Sequence, residues 1–411
     1  MVNLQTTSLG LRHSGIPYLL SIVGTDLKTV GLYWEGIDDP NEPLGTVPAS
    51  LDILSSYHQL RELQLHGDSG PEDEATVALS QALLCSRPNL TRFDCDNIFL
   101  SMEDIVYLAS SPTLLDVHMR FPENLHWSSF RTVGKPFPTI RSLSLACSVE
   151  SYAAFALLVP TMRTLKFSIH ITTLPISNTF SVLFTSIRHQ FDLSRLSTLI
   201  IVPDSIDDDA DVAQYALEFE VLVTPDHLRP LLEFTQLREV NISPPWGFAL
   251  DNDFFRDIAK AWIHLLDLRL AHARWCLHAP LATTLLALSY FAAYCPDLKT
   301  LAIRFDAEAW TDDLTEQELW RPKITDSYYG VLRGKPSMSK LNTLWINRFP
   351  IAQPEQVALY IHRLFPELQP WCERGTSTAA NSGDERRWNK AWSEVQRYLE
   401  AMAEIKEEEK A

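Results

Sequence analysis

The chain has 411 residues, of which 46% are hydrophobic, and it carries a formal net charge of −17 at pH 7. That charge makes polyanionic nucleic acid and anionic membrane surfaces poor partners, and no apolar run reaches the roughly 18 residues of a membrane span. The length exceeds the roughly 250–300 residues at which one compact core stops growing, which favours a repeating architecture whose units pack only on their neighbours.

One short pattern recurs along the chain: an apolar residue, two variable residues, a second apolar residue, one variable residue and a third apolar residue. Its clearest copy is Leu298-x-x-Leu301-x-Ile303. The alternation at its end predicts a short strand with one buried face. In chain order the triplets are Leu27/Val30/Leu32, Leu60/Leu63/Leu65, Leu90/Phe93/Cys95, Leu114/Val117/Met119, Ile140/Leu143/Leu145, Met162/Leu165/Phe167, Leu196/Leu199/Ile201, Leu237/Val240/Ile242, Leu265/Leu268/Leu270, Leu298/Leu301/Ile303 and Leu341/Leu344/Ile346.

Helices are predicted between these strands, and a proline often ends the helix two residues before the next triplet. Residues 1–26 are expected to supply a first helical turn. Ser101 and Asp104 form a predicted capping box, and Thr224 with Pro225 marks another helix start. The remaining predicted helices are 73–85, 148–159, 180–191, 251–264, 281–294 and 353–365. The prolines at the shared offset are Pro88, Pro112, Pro138, Pro160 and Pro296.

A strand and a helix repeating in this way are typical of a leucine-rich-repeat solenoid. We therefore predict an α/β horseshoe with parallel short strands on the concave face, helices on the convex face, and irregular repeats in which insertions lengthen some periods. Residues 1–370 are assigned to the solenoid, 371–384 to a flexible linker, and 385–411 to a C-terminal amphipathic helix.

The predicted C-terminal helix carries apolar residues at steps of four and three, which is a heptad-like stripe. Two interpretations remain open: a cap on the open end of the solenoid, or a helix that binds a partner. The stripe consists of Trp388, Trp392, Val395, Leu399 and Met402.

Segments that imitate catalytic or metal sites lack essential parts. Gly67-Asp-Ser-Gly-Pro71 resembles a serine-protease nucleophile segment without its histidine partner. The acidic run near Asp207 resembles a calcium loop, but Val212 stands where the turn requires glycine. We find no phosphate loop, dinucleotide motif or zinc spacing, so we predict no catalytic residues, no metal and no cofactor, and we expect a protein that is not an enzyme.

The six cysteines are scattered, and none forms a Cys-x-x-Cys pair. Several fall on apolar positions of the repeat, as Cys95 does, which indicates small buried hydrophobic residues. An N-terminal apolar patch at residues 16–23 has no signal-peptide cleavage site after it. We therefore predict an intracellular location, cytoplasmic or nuclear.

Residues between the buried apolar ones should point into the concave face. Their mixed charges and one tryptophan favour protein recognition, because arginine and aromatic residues are preferred anchors. We predict a protein partner on this face; a solvated face without a ligand is the alternative. The predicted binding residues are Glu62, Gln64, His66, Arg92, Asp94, Asp116, His118, Arg120, Glu239, Asn241, Asp267, Arg269, Arg304, Trp345 and Asn347.

The segments Cys295-Pro-Asp-Leu-Lys-Thr-Leu301 and Val357-Ala-Leu-Tyr-Ile-His-Arg-Leu-Phe-Pro366, with the irregular insertions, resemble the leucine-rich-repeat region of fungal F-box proteins. The resemblance covers residues ~20–370 by pattern. It implies that the repeats are a substrate receptor of a cullin-type ubiquitin ligase, with the ligase adaptor as a partner. The family's N-terminal F-box, which opens near Leu-Pro-x-Glu, is not seen here. A repeat scaffold unrelated to ubiquitin transfer is the second hypothesis, and an enzyme is the third.

Overall fold

A computed structural model describes residues 6–11, 28–34, 59–67, 89–121, 127, 130, 135–159, 161–173, 179–204, 222–243, 247–270, 282–308, 339–345, 350–368 and 383–408. The chain divides into two compact units. The first comprises Met1–Pro175 and Thr185–Leu196, and the second comprises Ile176–Phe184 and Ser197–Ala411.

In the described part of the first unit, the strands are parallel and lie side by side in chain order. They are β1 (Thr6–Leu11), β2 (Thr29–Trp34), β3 (Glu62–Gly67), β4 (Arg92–Phe99), β5 (Asp116–Arg120), β6 (Ser142–Cys147) and β7 (Lys166–Ile171).

The strands of the second unit are β8 (Thr198–Pro203), β9 (Leu222–Val223), β10 (Glu239–Ile242), β11 (Gly247–Phe248), β12 (Asp267–Arg269), β13 (Thr300–Ala302) and β14 (Thr343–Trp345). In this unit β8, β10, β12, β13 and β14 are neighbours in that order, and every pair is parallel. Strands β9 and β11 form a separate short parallel pair, and α4 (Pro225–Leu228) and α5 (Asn252–Ala261) follow them in the sequence.

The helices connect the strands. They are α1 (Met102–Ser110), α2 (Val149–Leu158), α3 (Thr179–Gln190), α4 (Pro225–Leu228), α5 (Asn252–Ala261), α6 (Leu286–Tyr294), α7 (Pro354–Leu364) and α8 (Gly383–Glu408), with a 3₁₀ helix at Arg229–Glu233 after α4. None of the helices in the described part of the chain combines the length and apolar composition that a membrane span needs. Parallel strands in chain order with helical connections confirm the predicted α/β leucine-rich-repeat solenoid.

Backbone pairing fixes where each strand begins. The N–H groups of Arg61 and Glu62 both donate to the carbonyl of Lys28, at 2.8 and 3.0 Å. In the second unit, the N–H groups of Lys299 and Thr300 both donate to the carbonyl of Leu266, at 2.8 and 3.1 Å. The same double donation recurs at Thr91/Arg92, Leu115/Asp116, Arg141/Ser142, Leu165/Lys166, Arg238/Glu239, Leu266/Asp267 and Asn342/Thr343.

Among the residues whose burial the structure describes, the members of the apolar triplets form the core, as predicted from their alternation, with Leu165 as the exception. In β5, Val117 and Met119 are buried, while the residues beside them are not. Aromatic side chains fill the space between strands and helices. Trp262, for example, is 1% exposed, and its indole N–H donates to the carbonyl of Leu231 at 3.3 Å.

Local capping explains where several helices start. The Ser101 hydroxyl accepts from the N–H of Asp104 at 3.3 Å, and the Asp104 carboxylate accepts from the N–H of Ser101 at 2.9 Å. This confirms the predicted capping box. Ser148 and Asp251 cap α2 and α5 through their side chains alone, which accept from the N–H groups of Ser151 and Phe254. The helix predicted after Thr224 is only four residues long before it tightens into the 3₁₀ helix.

Two predictions about the first unit are wrong. The region assigned to a first helical turn contains strand β1, which pairs with β2. The triplet Met162/Leu165/Phe167 is out of register, because Leu165 is 41% exposed and Phe167 pairs with Leu143. The buried triplet is Thr164/Phe167/Ile169. The pattern did not indicate this triplet because a threonine occupies its first apolar position. Pro160, two residues before Met162, favoured the wrong starting residue.

The C-terminal helix α8 packs against α7. Trp392, Val395 and Leu399 are buried, and the Trp392 ring meets the ring of Phe305 edge to face at 6.0 Å. This burial favours the cap interpretation over the partner-binding one, because the stripe is already covered within its own unit. The predicted domain boundaries stay predictions, since most of 371–384 and the predicted helix 73–85 lie outside the described residues.

The out-of-register repeat yields a stability prediction. Thr164 is fully buried, and its hydroxyl has no hydrogen-bond partner among the described residues. Thr164→Val keeps the shape and removes an unpaired polar group, so we expect the free energy of unfolding to rise by about 1 kcal/mol. Urea denaturation measures the change.

Thr283→Val is the matched control. Thr283 is equally buried, but its hydroxyl donates to the carbonyl of Leu250 at 2.7 Å. Here we expect a loss of about 1 kcal/mol, because the substitution leaves that carbonyl unpaired. Equal losses in both variants would contradict the assignment of Thr164.

Candidate protein-binding face

The side of each sheet opposite the core carries the residues that alternate with the buried ones, and we call it the polar strand face. In the first unit it includes Glu62, Gln64 and His66 on β3, Arg92 and Asp94 on β4, and Asp116, His118 and Arg120 on β5. In the second unit it includes Glu239 and Asn241 on β10, Asp267 and Arg269 on β12, and Trp345 on β14. Arg304 follows β13, and Asn347 lies outside the described residues. The described residues thus lie on the strands or just after one; that they form a concave face that binds a protein stays a prediction.

Strand register arranges these side chains in rows that cross the strands. Glu62, Arg92 and Asp116 are direct neighbours, so a cation lies between two carboxylates. Gln64, Asp94 and His118 form the next row. Because parallel strands lie about 4.8 Å apart, neighbours in a row are within reach of one another.

An aspartate and a histidine lie in contact on the first unit's face. His118 Nδ1 lies 3.1 Å from Asp94 Oδ1, and Arg92 Nη2 lies 3.6 Å from Asp94 Oδ2. The close approach of the His118 ring lowers the pKa of the Asp94 carboxyl, and it outweighs partial burial, which acts in the opposite direction. Asp94 is therefore held as a carboxylate that orients the imidazole.

A second histidine stacks on this pair. The rings of His118 and His170 have centroids 5.7 Å apart at an angle of 25°. Ser144 and Ala146 on the intervening strand β6 are small, which leaves space for the two rings to meet. Ser168 is within 3.1 Å of His170 Nε2. Sequence reasoning missed Ser168 and His170, because the wrong triplet ended the strand two residues too early.

The second unit carries a comparable arrangement of arginine and tryptophan. Asp267 accepts two hydrogen bonds from Arg269, from Nε and from Nη2, each at 2.9 Å. The guanidinium carbon of Arg269 lies 5.6 Å from the centroid of the Trp345 ring, within the range of a cation–π contact. Ala302 stands between them in the register and is almost fully covered.

The remaining contacts of this face are local. Thr198 donates to Glu239 Oε2 at 3.2 Å, and Ser243 donates to Asn241 Oδ1 at 2.7 Å. They hold individual side chains in place without bringing titratable groups together.

The strongly perturbed titratable groups lie in the core instead. Burial raises the pKa of the Cys147 thiol and of the Tyr152 hydroxyl, and it raises the pKa of Cys295 to about 12. These thiols are therefore protonated at neutral pH, whereas a nucleophilic cysteine has a lowered pKa. In the described part of the chain, no group of three or more histidine, cysteine or acidic residues has metal-binding geometry. The serine of residues 67–71 and the acidic run near residue 207 lie outside the described residues.

Comparison with known proteins gives weak likenesses only. No protein-family model matches the chain, and no curated protein does. Among solved structures, the chain is similar to a Bacteroides fragilis protein with a TM-score of 0.30 and 15% identity, covering 64% of this chain and 72% of that one. It is also similar to a chain in the yeast Rad7 and Elc1 complex, with a TM-score of 0.35 and 12% identity, covering 75% of each. The fold assignment rests on the repeat itself.

The Asp94–His118 pair generates a titration prediction. In His118→Leu we expect the pKa of Asp94 to rise, because the main interaction that lowers it is lost while burial remains. Carboxyl-carbon NMR of labelled aspartate, followed against pH, measures the shift. Ser168→Ala is the control, since it alters the His170 contact and leaves the contact between His118 and Asp94 in place.

The sign of the linked stability effect follows from the lowered pKa. A carboxyl whose pKa is depressed by folding stabilises the folded state above its unfolded pKa, and this contribution is lost as the pH falls through the folded pKa. The stability difference between wild type and His118→Leu should therefore shrink in acid. An unchanged Asp94 pKa in His118→Leu would contradict this account.

Proposed function

We propose that this protein binds another protein through the polar strand face, with Arg269 and Trp345 as the anchor. The observation that carries the proposal is the cation–π contact of Arg269 with Trp345 across Ala302, in which Asp267 accepts two hydrogen bonds from Arg269. Arginine and tryptophan are enriched among residues that dominate interface energetics. A side chain that is already fixed loses less conformational entropy when a partner binds.

The chemistry of the face supports binding rather than catalysis. An active site needs titratable groups with shifted pKa values that converge on one accessible point. The raised pKa values of Cys147, Tyr152 and Cys295 belong to core residues. The face offers instead paired charges, amides and planar groups, which suit the recognition of a polypeptide surface.

Charge reversal at the anchor tests the proposal. We expect Arg269→Glu to lose most of the proteins that the wild type captures from native lysate, because a glutamate beside Asp267 repels the carboxylate and abolishes the stack on Trp345. Quantitative mass spectrometry of the captured proteins is the measurement. An interface anchor of this kind changes affinity by about 2 kcal/mol or more when removed.

Arg256→Glu is the matched control. Arg256 lies on α5 of the same unit, its side chain is 39% exposed against 41% for Arg269, and it pairs with Asp253 at 2.9 Å. The two variants change the same charge in a similar environment on different surfaces. If Arg256→Glu loses the same proteins, or Arg269→Glu loses none, the polar strand face is not the binding site.

A finer proposal concerns what the bound protein is for. We propose that it is a substrate presented to a cullin-type ubiquitin ligase, supported by the resemblance of residues 295–301 and 357–366 to fungal F-box proteins. Cys295, the first residue of the segment 295–301, is buried, and its thiol lies 3.5 Å from the carbonyl oxygen of Ala259. This residue of the resembling segment therefore packs inside the repeat. The resemblance therefore concerns the receptor part.

Co-purification with the cullin adaptor tests this finer proposal. We expect the natural protein, tagged in its own cells, to bring down the adaptor, and Arg269→Glu to retain it while losing the substrate. If the adaptor is absent while other proteins are captured through the polar strand face, the protein is a scaffold unrelated to ubiquitin transfer.

A further inference from the structure

The starts of the strands in the first unit carry a strip of exposed cations. The residue before each strand and the first residue of the strand form two adjacent rows, fixed by the double backbone donation described above. We name the cations of these rows the strand-start strip. It consists of Lys28, Arg61, Arg92, Arg141 and Lys166, all of which are exposed.

Few carboxylates offset this charge. The two rows between Lys28 and Lys166 hold five cations against two carboxylates, Glu62 and Asp116. Within the described residues, Arg92 pairs with Asp94 at 3.6 Å, and no carboxylate forms an ion pair with Arg61 or Arg141. The strip is therefore basic in a chain whose net charge is −17.

The equivalent rows of the second unit provide an internal comparison. They contain Arg238 and Lys299 as cations and Glu239 and Asp267 as carboxylates, so the charges balance. The same backbone geometry thus carries a net positive row in one unit and a neutral one in the other. The excess charge is a property of the first unit's side chains and does not follow from the fold.

We propose that the strand-start strip binds an acidic peptide segment of a partner protein. Its five strand steps at about 4.8 Å give a length of about 24 Å, which an extended peptide of about seven residues spans. Charge complementarity supplies the attraction over this length. Screening limits electrostatic interactions to about 8–10 Å at physiological salt, so the charges nearest to a bound peptide contribute most to its binding.

A peptide fits this surface better than a nucleic acid. The strip is about 24 Å long, or about five strand spacings, and a nucleic acid extends far beyond that length. Outside the strip its phosphates would be repelled by a chain of negative net charge. The proposal is independent of the Arg269–Trp345 anchor, because the strip and the anchor lie in different units and are changed by different substitutions.

Fluorescence anisotropy with a labelled octaglutamate peptide tests the strip. We expect the wild type to bind this probe at low salt, to release it as salt rises, and to ignore an octaglutamine peptide. Arg61→Glu/Arg141→Glu should weaken octaglutamate binding by about tenfold or more, because two attractive contacts become repulsive. Both side chains are exposed, and equal thermal unfolding midpoints would establish that the variant is folded.

Arg238→Glu/Lys299→Glu is the matched control, since both residues are exposed and occupy the same row of the second unit. We expect it to change octaglutamate binding by less than about twofold, because the rows of the second unit carry as many carboxylates as cations. Equal loss in both double variants, equal binding of octaglutamine, or no binding by the wild type would overturn the proposal. Tighter binding of an eight-nucleotide single-stranded DNA would make the strip a nucleic-acid site instead. Loss of capture in Arg269→Glu with octaglutamate binding retained would separate this site from the proposed anchor.

Discussion

The double donation of two successive N–H groups to one carbonyl of the preceding repeat is the constraint on which this structure depends. At Arg61 and Glu62 it ties the strand start to Lys28, and at Lys299 and Thr300 it ties the strand start to Leu266. A shift of one residue would turn every apolar side chain of a strand away from the core. Because the start of each strand is fixed, the alternation along the strand decides which side chains form the core and which form the polar strand face.

Register also determines which polar side chains meet. Planar groups two strands apart are too distant for contact unless the residue between them is small. Ala302 allows Arg269 to reach Trp345, and the small residues of β6 allow His118 to reach His170. In each unit, two planar side chains therefore meet because the residue between them is alanine or serine. A larger residue at position 302 would separate Arg269 from Trp345 without changing either of them.

The repeat could be predicted from the sequence because each triplet lies within six consecutive residues. The stacking of neighbouring repeats then follows, since one strand cannot bury its apolar face alone. The prediction failed at Thr164, where a polar residue occupies an apolar position and only the pairing of Phe167 with Leu143 reveals the register. That single error removed His170 from the predicted face. Contacts across strands, such as Arg269 with Trp345, could not be predicted, because they depend on which repeats are neighbours and on the size of the residue between them.

The repeating backbone separates two requirements: the pairing of backbone polar groups and the choice of surface charge. Carbonyls and N–H groups at the strand starts are satisfied by the neighbouring repeat, so the side chains there are free to vary in charge. The rows of the first unit carry five cations and two carboxylates, whereas those of the second carry two cations and two carboxylates. The fold therefore fixes the spacing of charges at one strand width but leaves their sign to the sequence. The proposed acidic-peptide site therefore consists of side chains whose charge the backbone pairing does not constrain.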